Sequence, residues 1–459
     1  MPKSLLRSIA LLAAGAAIPT VLIPTVQIAR AAEADKASAT SADTYHELDQ
    51  FMNVFQKIRS DYVDKTNDKD LIKGAIDGML ASLDPHSSYM DAHDFQQMKL
   101  TTDGNYGGLG LTVQAQDGVV KVVSPTQDTP AYRAGIKSGD FITHIDGKMI
   151  YGITLDEAVD QMRGAPGSKV KLTIFRPGRD KPFDVTLTRE NIVIKPVKWQ
   201  VKDNIGIINI LSFSKQTGAD TRAAIAAIDK QTGGKTTGYI IDLRDDPGGL
   251  LDQAIETADA FLDHGEIVSQ RGRTKDDIER YYAHAGDDSH GLPVIVLVNA
   301  GSASAAEIVA GALQDQRRAL VMGERSFGKG SVQTLIPLTD DTALRLTTAR
   351  YYTPSGRSVQ EGGIQPDVYV PQLTDPDYKD RPRFREDDLR RHLINEAKVD
   401  DSVLEQDDKP DPRFVATADM LKKQGITDYQ LAYALQTMAR LAGQNATPAR
   451  VVQATPARH

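Results

Sequence analysis

The chain has 459 residues, of which 40% are hydrophobic and 25% are charged, a composition that supports several hydrophobic cores of ordinary domain size. A formal net charge of −8 without a basic stripe argues against nucleic-acid binding, and the absence of cysteine excludes disulfides and a thiol nucleophile. The nine histidines are scattered and form no His-Glu-x-x-His motif, so we expect no metal site and no cofactor.

The N-terminus has the pattern of a secretory signal peptide. Two basic residues precede an apolar stretch from residue 9 to 28, and Ala29-Arg30-Ala31 matches a small-x-small cleavage site. We therefore expect residues 1–31 to be a signal peptide and the mature chain to be exported to the periplasm. An uncleaved membrane anchor is the alternative, because the stretch approaches spanning length, although its two prolines disfavour it.

Residues 32–100 are predicted to form an N-terminal helical region. A polar segment of small residues, 32–43, indicates a linker, and two helical patterns follow at 45–59 and 70–83. The first pattern carries an apolar stripe of Leu48, Phe51, Met52, Phe55 and Ile58. Such a stripe packs against a core or against a second copy of the chain.

Residues 101–190 have the pattern of a small β-rich domain. Strands are predicted at 119–123, 141–145, 170–175 and 183–187. One helix is signalled by the capping box Thr154-Leu155-Asp156-Glu157, and its apolar face consists of Leu155, Ala158, Val159 and Met162.

Two segments of this region, 130–140 and 145–147, together with the preceding Gly108-Leu109-Gly110, resemble PDZ-domain sequence. In such domains the loop formed here by Gly108, Leu109 and Gly110 offers backbone N–H groups to the C-terminal carboxylate of a peptide. The peptide itself adds as a strand to a sheet edge. Alone, a Gly-Leu-Gly sequence indicates no more than a turn.

Residues 191–370 alternate strands and helices, including patterns at 205–210, 221–230 and 251–262. The most informative part is a β-branched strand, 294–298, followed by Gly301-Ser302-Ala303-Ser304 and a predicted helix at 305–314. A tight turn between them presents a hydroxyl at the helix N-terminus, among unpaired backbone N–H groups.

Downstream, Lys329, Ser331 and Gln333 alternate along the next predicted strand, so their side chains share one face and can point at Ser304. Serine is a weak nucleophile that needs a base, and burial lowers the pKa of a lysine by up to ~3–5 units, which makes a neutral amine accessible. Taken separately, the same residues are better explained as a solvated turn lysine and a helix-capping serine.

A third motif, Arg244-Asp245-Asp246-Pro247-Gly248-Gly249, directly follows an apolar strand at 239–243. Glycines at such a turn allow backbone N–H groups to approach a ligand closely. An Asp-Pro-Gly turn that ends a strand is the simpler interpretation, and it is compatible with the functional one.

Together these motifs resemble the carboxyl-terminal processing (tail-specific) proteases of the S41 serine peptidase family, over nearly the whole mature chain. The resemblance implies that Ser304 is the nucleophile, with Ser302 as a turn residue. It implies that Lys329 is the general base of a Ser-Lys dyad and that Gln333 orients the lysine amine.

The resemblance further implies an oxyanion hole formed by the backbone N–H of Ala305 and by that of either Gly248 or Gly249. The family more usually has asparagine at one or both of the positions held here by Asp245 and Asp246. An extra carboxylate beside an oxyanion is unfavourable unless it turns to solvent or pairs with the preceding arginine.

By the same resemblance we expect a multidomain α/β protein with a crotonase-like α/β protease core, an inserted or preceding PDZ domain, and an N-terminal dimerisation-like region. Arg163 resembles a family arginine that senses bound substrate, with a solvent-exposed helix-end arginine as the alternative. Residues 371–459 are predicted to be a charged helical region with a disordered tail. Expected partners are proteins with accessible C-termini, a lipoprotein adaptor, and further copies of this chain.

Two more segments match family elements. Residues 350–357 with 363–368 are interpreted as structural, and no chemistry follows for Asp84-Pro85-His86-Ser87-Ser88-Tyr89 from the sequence. The sequence thus predicts a periplasmic serine endopeptidase. A catalytically silent PDZ scaffold that holds protein tails is the main alternative. An acyl-CoA enzyme is a weaker one, which the lack of an evident nucleotide-binding element disfavours.

Overall fold

The computed structural model describes residues 25–116, 118–274, 276–375, 378, 383–397, 414 and 416–443. Most of the predicted signal peptide and the predicted disordered tail therefore lie outside the described residues. The chain divides into two compact units after Ile76. No helix within the described residues is both long and apolar enough to cross a bilayer.

The first unit contains α1 (Thr25–Asp61) and most of α2 (Asp68–Ala81). The prediction of a linker at 32–43 is wrong, because α1 runs through it. Five of these twelve residues are alanine, the residue with the highest helix propensity. The predicted apolar stripe lies largely exposed, with Leu48, Phe51 and Met52 at 52%, 46% and 48% exposure.

The second unit has a mixed α/β architecture with several domains, as predicted. Its helices after α2 are α3 (Ala92–Asp103), α4 (Pro130–Arg133), α5 (Leu155–Met162), α6 (Thr217–Thr232), α7 (Leu251–Asp259), α8 (Ala305–Asp315), α9 (Ala418–Lys423) and α10 (Tyr429–Leu441). Its strands are β1 (Ser88–Met90), β2 (Asn105–Gly108), β3 (Leu111–Gln116), β4 (Val119–Pro125), β5 (Phe141–Ile145), β6 (Lys148–Met149), β7 (Lys169–Phe175), β8 (Phe183–Thr188), β9 (Glu190–Val193), β10 (Val197–Lys202), β11 (Ile205–Ile210), β12 (Gly238–Asp242), β13 (Glu266–Arg271), β14 (Ile278–Tyr282), β15 (Val294–Val298), β16 (Ala319–Gly323), β17 (Ser331–Pro337), β18 (Ala343–Tyr352) and β19 (Val368–Tyr369).

The β-rich region forms an antiparallel sheet in the order β3-β4-β5-β7-β8, with β6 paired to β5. Among the described strands β3 pairs with β4 alone, so one edge of β3 remains open. The predicted capping box is confirmed: Thr154 Oγ1 accepts from Glu157 N, and the Glu157 carboxylate accepts from Thr154 N. Helix α5 begins at the next residue because these bonds satisfy its first donors.

The central sheet has the order β10-β11-β12-β15-β16-β19, with β10 antiparallel to β11 and every other pair parallel. All residues of β12 and β15 are buried, because both faces of the sheet are covered. Alternate side chains face the core shared with α6, α7 and α8, and the remainder face the core shared with α9 and α10. The turn that follows β15 of this sheet leads into the N-terminus of α8.

A second sheet has the order β1-β18-β13-β14, with β17 also paired to β18. Strand β1 follows the segment 84–87, yet its Ser88 pairs with Arg345 of β18, far along the chain. The same strand β18 pairs Thr347 with Gln333 of β17. The early segment that follows α2 therefore lies beside β18, the strand that also pairs with β17.

Candidate active site

One cavity of about 460 Å³ brings together most of the residues that the sequence predicts to be functional. It is lined by Ser304, Lys329 and Gln333 and by Gly248, Gly249 and Ala305. Much of the remaining wall is apolar, with contributions from Phe213, Leu250, Ile308 and Leu335. The site thus combines a hydroxyl, an amine and backbone amides within a partly dry enclosure.

The two candidate serines differ in their surroundings. Ser302 is fully buried; its hydroxyl donates to Leu243 O at 2.7 Å and accepts from Asn299 N at 2.9 Å. Ser304 lines the cavity, and its hydroxyl makes no hydrogen bond to any described residue. The structure therefore assigns Ser302 a bonding role in the turn and leaves Ser304 free to react.

The turn that presents Ser304 is strained and tightly packed. Ser304 has φ +54° and ψ −112°, a conformation rarely adopted by residues other than glycine. A Cβ placed on Gly248 would lie 2.9 Å from both Ser304 Cβ and Ala305 N, so this position requires glycine. The glycine turn after β12 consequently lies directly against the backbone on either side of the hydroxyl.

Glu307 joins the two parts of the site, and sequence analysis assigned it no role. Its carboxylate is fully buried and accepts from the backbone N–H groups of Ser304, Gly328 and Lys329 at 2.8, 2.7 and 3.0 Å, and from Ser326 Oγ. Burial raises its pKa to about 7, against the lowering effect of these donors. The spacing of Glu307 three residues after Ser304, typical of a capping box, was the available signal.

Lys329 lies in the turn before β17, so the prediction that it sits on the strand is wrong. Burial lowers the pKa of its ammonium, and the charge of Arg345 lowers it further, whereas Glu386, Glu307 and Asp84 act in the opposite direction. Its amine makes no hydrogen bond to Ser304 or to any other described residue in this conformation. Proton transfer therefore requires the flexible lysine side chain to approach the hydroxyl.

Gln333 lies on β17 just after an irregularity in the pairing of β17 with β18. Its Nε2 donates to Ser331 Oγ at 2.9 Å and to Thr347 Oγ1 at 3.2 Å. Both amide protons are thereby used, and the carbonyl oxygen Oε1 makes no hydrogen bond to a described residue. The hydrogen bonds that fix the Gln333 side chain are therefore made by its amide nitrogen.

The candidate oxyanion donors are not equivalent. Gly248 N donates to Asp246 Oδ1 at 2.8 Å, whereas the N–H groups of Gly249 and Ala305 have no acceptor among the described residues. Gly249 also requires glycine, because a Cβ there would lie 2.2 Å from Phe213 O. Two donors are thus available at once, and a third becomes available when Asp246 releases it.

The two aspartates of this turn behave differently. Asp245 is exposed, as predicted for a carboxylate that avoids the oxyanion. Asp246 is fully buried and does not pair with Arg244, which instead binds Asp242 at 2.6 Å and Asp428 at 2.7 Å. Asp246 Oδ2 has no partner among the described residues, and burial raises the pKa of this carboxyl to about 7.

Replacing Asp246 by asparagine is expected to stabilise the protein more at pH 8 than at pH 5. An unfolded chain releases this proton at about pH 4, whereas the folded chain holds it to about pH 7. The folded state binds more protons between these values, so the free energy of unfolding of the wild type falls as pH rises through this window and stays low above it. Urea unfolding should show that the substitution raises the free energy of unfolding by about 2–4 kcal/mol more at pH 8 than at pH 5.

The matched control for this measurement is Asp245→Asn, at the exposed neighbouring position. It makes the same chemical change at a side chain that is exposed and not buried. An equal effect of Asp246→Asn at pH 5 and pH 8 would contradict the burial argument, because it would mean that Asp246 titrates as in the unfolded chain.

No group of three or more histidine, aspartate or glutamate side chains within the described ranges is placed to hold a metal ion.

Comparisons with known proteins agree with this architecture. A model of peptidase family S41 matches residues 204–370, a PDZ-domain model matches 107–187, and a model described as the activating protease CtpB N-terminal domain matches 12–94. The carboxy-terminal-processing protease of Bartonella bacilliformis is 52% identical over 360 residues, which are 78% of this chain and 83% of its own. The chain belongs to the carboxy-terminal processing proteases of peptidase family S41.

Other members of this protease family match as well. The carboxy-terminal processing protease CtpA of Bacillus subtilis is 39% identical over 347 residues, which are 75% of this chain and 72% of its own. Among solved structures, the photosystem II D1 C-terminal processing protease covers 70% of this chain and 92% of its own, with 29% identity and a TM-score of 0.41.

The PDZ domain of this S41 protease places its predicted loop at the open strand. Gly108 ends β2, and Gly110 has φ +74° and leaves no room for a Cβ beside Thr129. Leu109 is buried in the core of the domain, so its side chain anchors the loop; its carbonyl accepts from Ala131 N, which leaves its N–H group for a ligand. The loop leads directly into β3, whose outer edge pairs with no described strand.

Arg163, which follows α5 of the PDZ domain, is half-buried and not a freely solvated helix-end residue. It donates to Gln97 Oε1, and its guanidinium lies 4.9 Å from the centre of the Tyr106 ring. Gln97 belongs to α3, and the adjacent Met98 lines the active-site cavity. The end of the PDZ helix therefore contacts the helix that forms one wall of the cavity.

Proposed function

We propose that this protein is an exported serine endopeptidase that cleaves protein substrates with Ser304 as nucleophile and Lys329 as general base. One observation carries the proposal: a single cavity holds a serine hydroxyl at a strained helix N-terminus and a lysine whose pKa burial lowers. Serine requires a base and lysine can act as one only when neutral, so the two features complement each other.

In the proposed reaction Lys329 moves within about 2.6–3.2 Å of the Ser304 hydroxyl and accepts its proton as Oγ attacks the scissile carbonyl carbon. The carbon–nitrogen bond then breaks while the Lys329 ammonium protonates the leaving amine. The neutral Lys329 amine then deprotonates a water molecule, which hydrolyses the acyl-serine ester. The Ser304 hydroxyl is thereby restored. Each proton that Lys329 takes is returned within the cycle.

Backbone amides stabilise the oxyanion in this scheme. Ala305 N–H supplies one donor, and Gly249 N–H or Gly248 N–H supplies the other. Gly249 is available in the conformation described, whereas Gly248 must first leave Asp246. Donors of this kind are worth roughly 3–4 kcal/mol each in comparable acyl-transfer enzymes.

We further propose that the PDZ domain selects substrate C-termini. A peptide would extend along the open edge of β3, with its carboxylate at the loop of Gly108, Leu109 and Gly110. The hydrogen bond from Arg163 to Gln97 connects the PDZ domain to the helix that lines the cavity. It supports the proposal that peptide binding to the PDZ domain alters the cavity wall. Substrate would then be recognised at one place and cut at another.

The exposed stripe on α1 supports assembly with a second copy of the chain. Phe51→Asp is expected to convert a dimer or larger assembly into monomers, because a carboxylate is costly within an apolar interface. Light scattering during size-exclusion chromatography measures the change. Asn53→Asp, on the polar side of α1, should leave the mass unchanged, and a monomeric wild type would contradict the proposal.

The experiment that tests the proteolytic function uses the mature chain, for which we propose a periplasmic location. Purified protein is incubated with casein, alone and with candidate lipoprotein adaptors, and cleavage is followed over time. A catalytically silent PDZ scaffold would bind peptide C-termini and leave casein intact under every condition. An acyl-CoA enzyme would instead hydrolyse a thioester, which a parallel assay detects.

A further inference from the structure

The segment Asp84-Pro85-His86-Ser87, to which the sequence assigned no chemistry, is bonded to β18, the strand that pairs with the Gln333 strand β17. Asp84 is buried, and its carboxylate accepts four hydrogen bonds. These come from His86 N, Ser87 N and Thr347 Oγ1 to Oδ1, at 2.8, 2.9 and 3.2 Å, and from Ser87 Oγ to Oδ2 at 2.8 Å. Asp84 therefore ties the start of the second unit to Thr347 of β18.

The direction of these bonds follows from the donors available. A carboxylate accepts only, so the single hydroxyl proton of Thr347 is directed to Asp84. Ser87 directs its own hydroxyl proton to the other carboxylate oxygen and accepts from Thr347 N at 3.1 Å. Thr347 Oγ1 is left as an acceptor on its remaining side, where Gln333 Nε2 donates to it at 3.2 Å.

This order determines which end of the Gln333 amide is free. The amide nitrogen of Gln333 donates to Thr347 and Ser331. Its amide oxygen is therefore the atom that can accept from other groups in the cavity, which Lys329 also lines. A neutral amine has two N–H donors and one lone pair. Donation of one N–H to the amide oxygen leaves the lone pair free for the Ser304 hydroxyl, whereas a reversed amide would donate to that lone pair and block the base.

We propose that Asp84 and Thr347 are positioning residues that fix the orientation of the Gln333 amide, so that its oxygen, and not its nitrogen, is presented to Lys329. The inference rests on the proposed Ser304–Lys329 function and adds to it the residues that act through Gln333. Neither Asp84 nor Thr347 touches the reacting atoms.

The test variant is Thr347→Val, which removes the hydroxyl and keeps the shape of the side chain. On casein, kcat should fall about 10- to 100-fold with KM nearly unchanged, since the loss is one of orientation. Thr347→Ser restores the hydroxyl and should recover most of the rate. Thr348→Val is the matched control on the same strand: its exposed hydroxyl contacts Thr334, and its removal should leave kcat unchanged.

A double-mutant cycle locates the effect. In a Gln333→Ala background, Thr347→Val should lower kcat no further, because the group that it orients is already gone. An equal additional loss in that background would overturn the inference, since Thr347 would then act by another route.

The pH profile separates positioning from general loosening of the site. The charged groups that act on Lys329 are Arg345, Glu386, Glu307 and Asp84, and Thr347→Val changes none of them. When the Gln333 amide oxygen is no longer presented to Lys329, the ammonium form loses a stabilising acceptor and the lysine pKa falls. The acid limb of kcat/KM should therefore move to lower pH. Water entering a loosened site would move it to higher pH, and that result would also overturn the inference.

The proposed function and the positioning role can be rejected separately. If Ser304→Ala is inactive while Thr347→Val behaves like Thr348→Val, the dyad stands and the positioning role of Asp84 and Thr347 is rejected. If Ser304→Ala cleaves casein like the wild type, the proposed function itself is rejected and the positioning role with it.

Discussion

Ser304→Ala is expected to lower casein hydrolysis by at least about 10³-fold, because the variant removes the atom that forms the acyl intermediate. The Ser304 hydroxyl bonds to no described residue, so its removal should leave the fold intact. Initial rates of casein cleavage measure the loss, and thermal unfolding checks the fold.

Ser302→Ala is the matched control, two residues away in the same turn. It removes two buried hydrogen bonds and should lower the free energy of unfolding by about 1–3 kcal/mol. Cleavage at 25 °C should nonetheless persist. A folded but inactive Ser302→Ala variant, together with an active Ser304→Ala variant, would transfer the nucleophile to Ser302.

Lys329→Met should lower the rate of casein hydrolysis about as much as Ser304→Ala does. Methionine fills the apolar surroundings of the lysine stem but supplies no base. Burial lowers the lysine pKa, so the wild-type acid limb of kcat/KM should have its midpoint below pH 10.5, the ordinary value for lysine. Activity should rise with pH through this limb as the amine loses its proton.

Lys230→Met, at an exposed position on α6, serves as the control and should retain wild-type rates. Casein cleavage by Lys329→Met at an unchanged rate, or an acid limb that persists unaltered in that variant, would assign the base to a different group.

Much of the scaffold could be predicted from the sequence, because local patterns specify it. The uninterrupted apolar run 294–298 coincides with β15, and the predicted strand 141–145 coincides with β5. Thr154 and Glu157 indicated the start of α5 through a reciprocal bond that lies within four residues. Such features depend on side-chain period and capping, which a single sequence displays directly.

The parts of the site that could not be predicted depend on contacts between distant segments. Asp84 meets Thr347 across more than half of the chain, and no periodicity reports that contact. Of the two alternatives expected for the turn carboxylates, exposure or pairing with Arg244, neither applies to Asp246, because Asp242 and Asp428 occupy the guanidinium. Lys329 was placed on a strand because alternation alone does not reveal where pairing begins.

The Arg244 guanidinium is held by two carboxylates, Asp242 at the end of β12 and Asp428 at the N-cap of α10. The last described helix is thus fastened to the strand that leads into the glycine turn of the catalytic cavity, and it also covers one face of the central sheet. Removal of residues back past Asp428 would expose that sheet face and leave Arg244 with Asp242 as its remaining carboxylate partner, so cleavage there would weaken the support of the cavity from a distance.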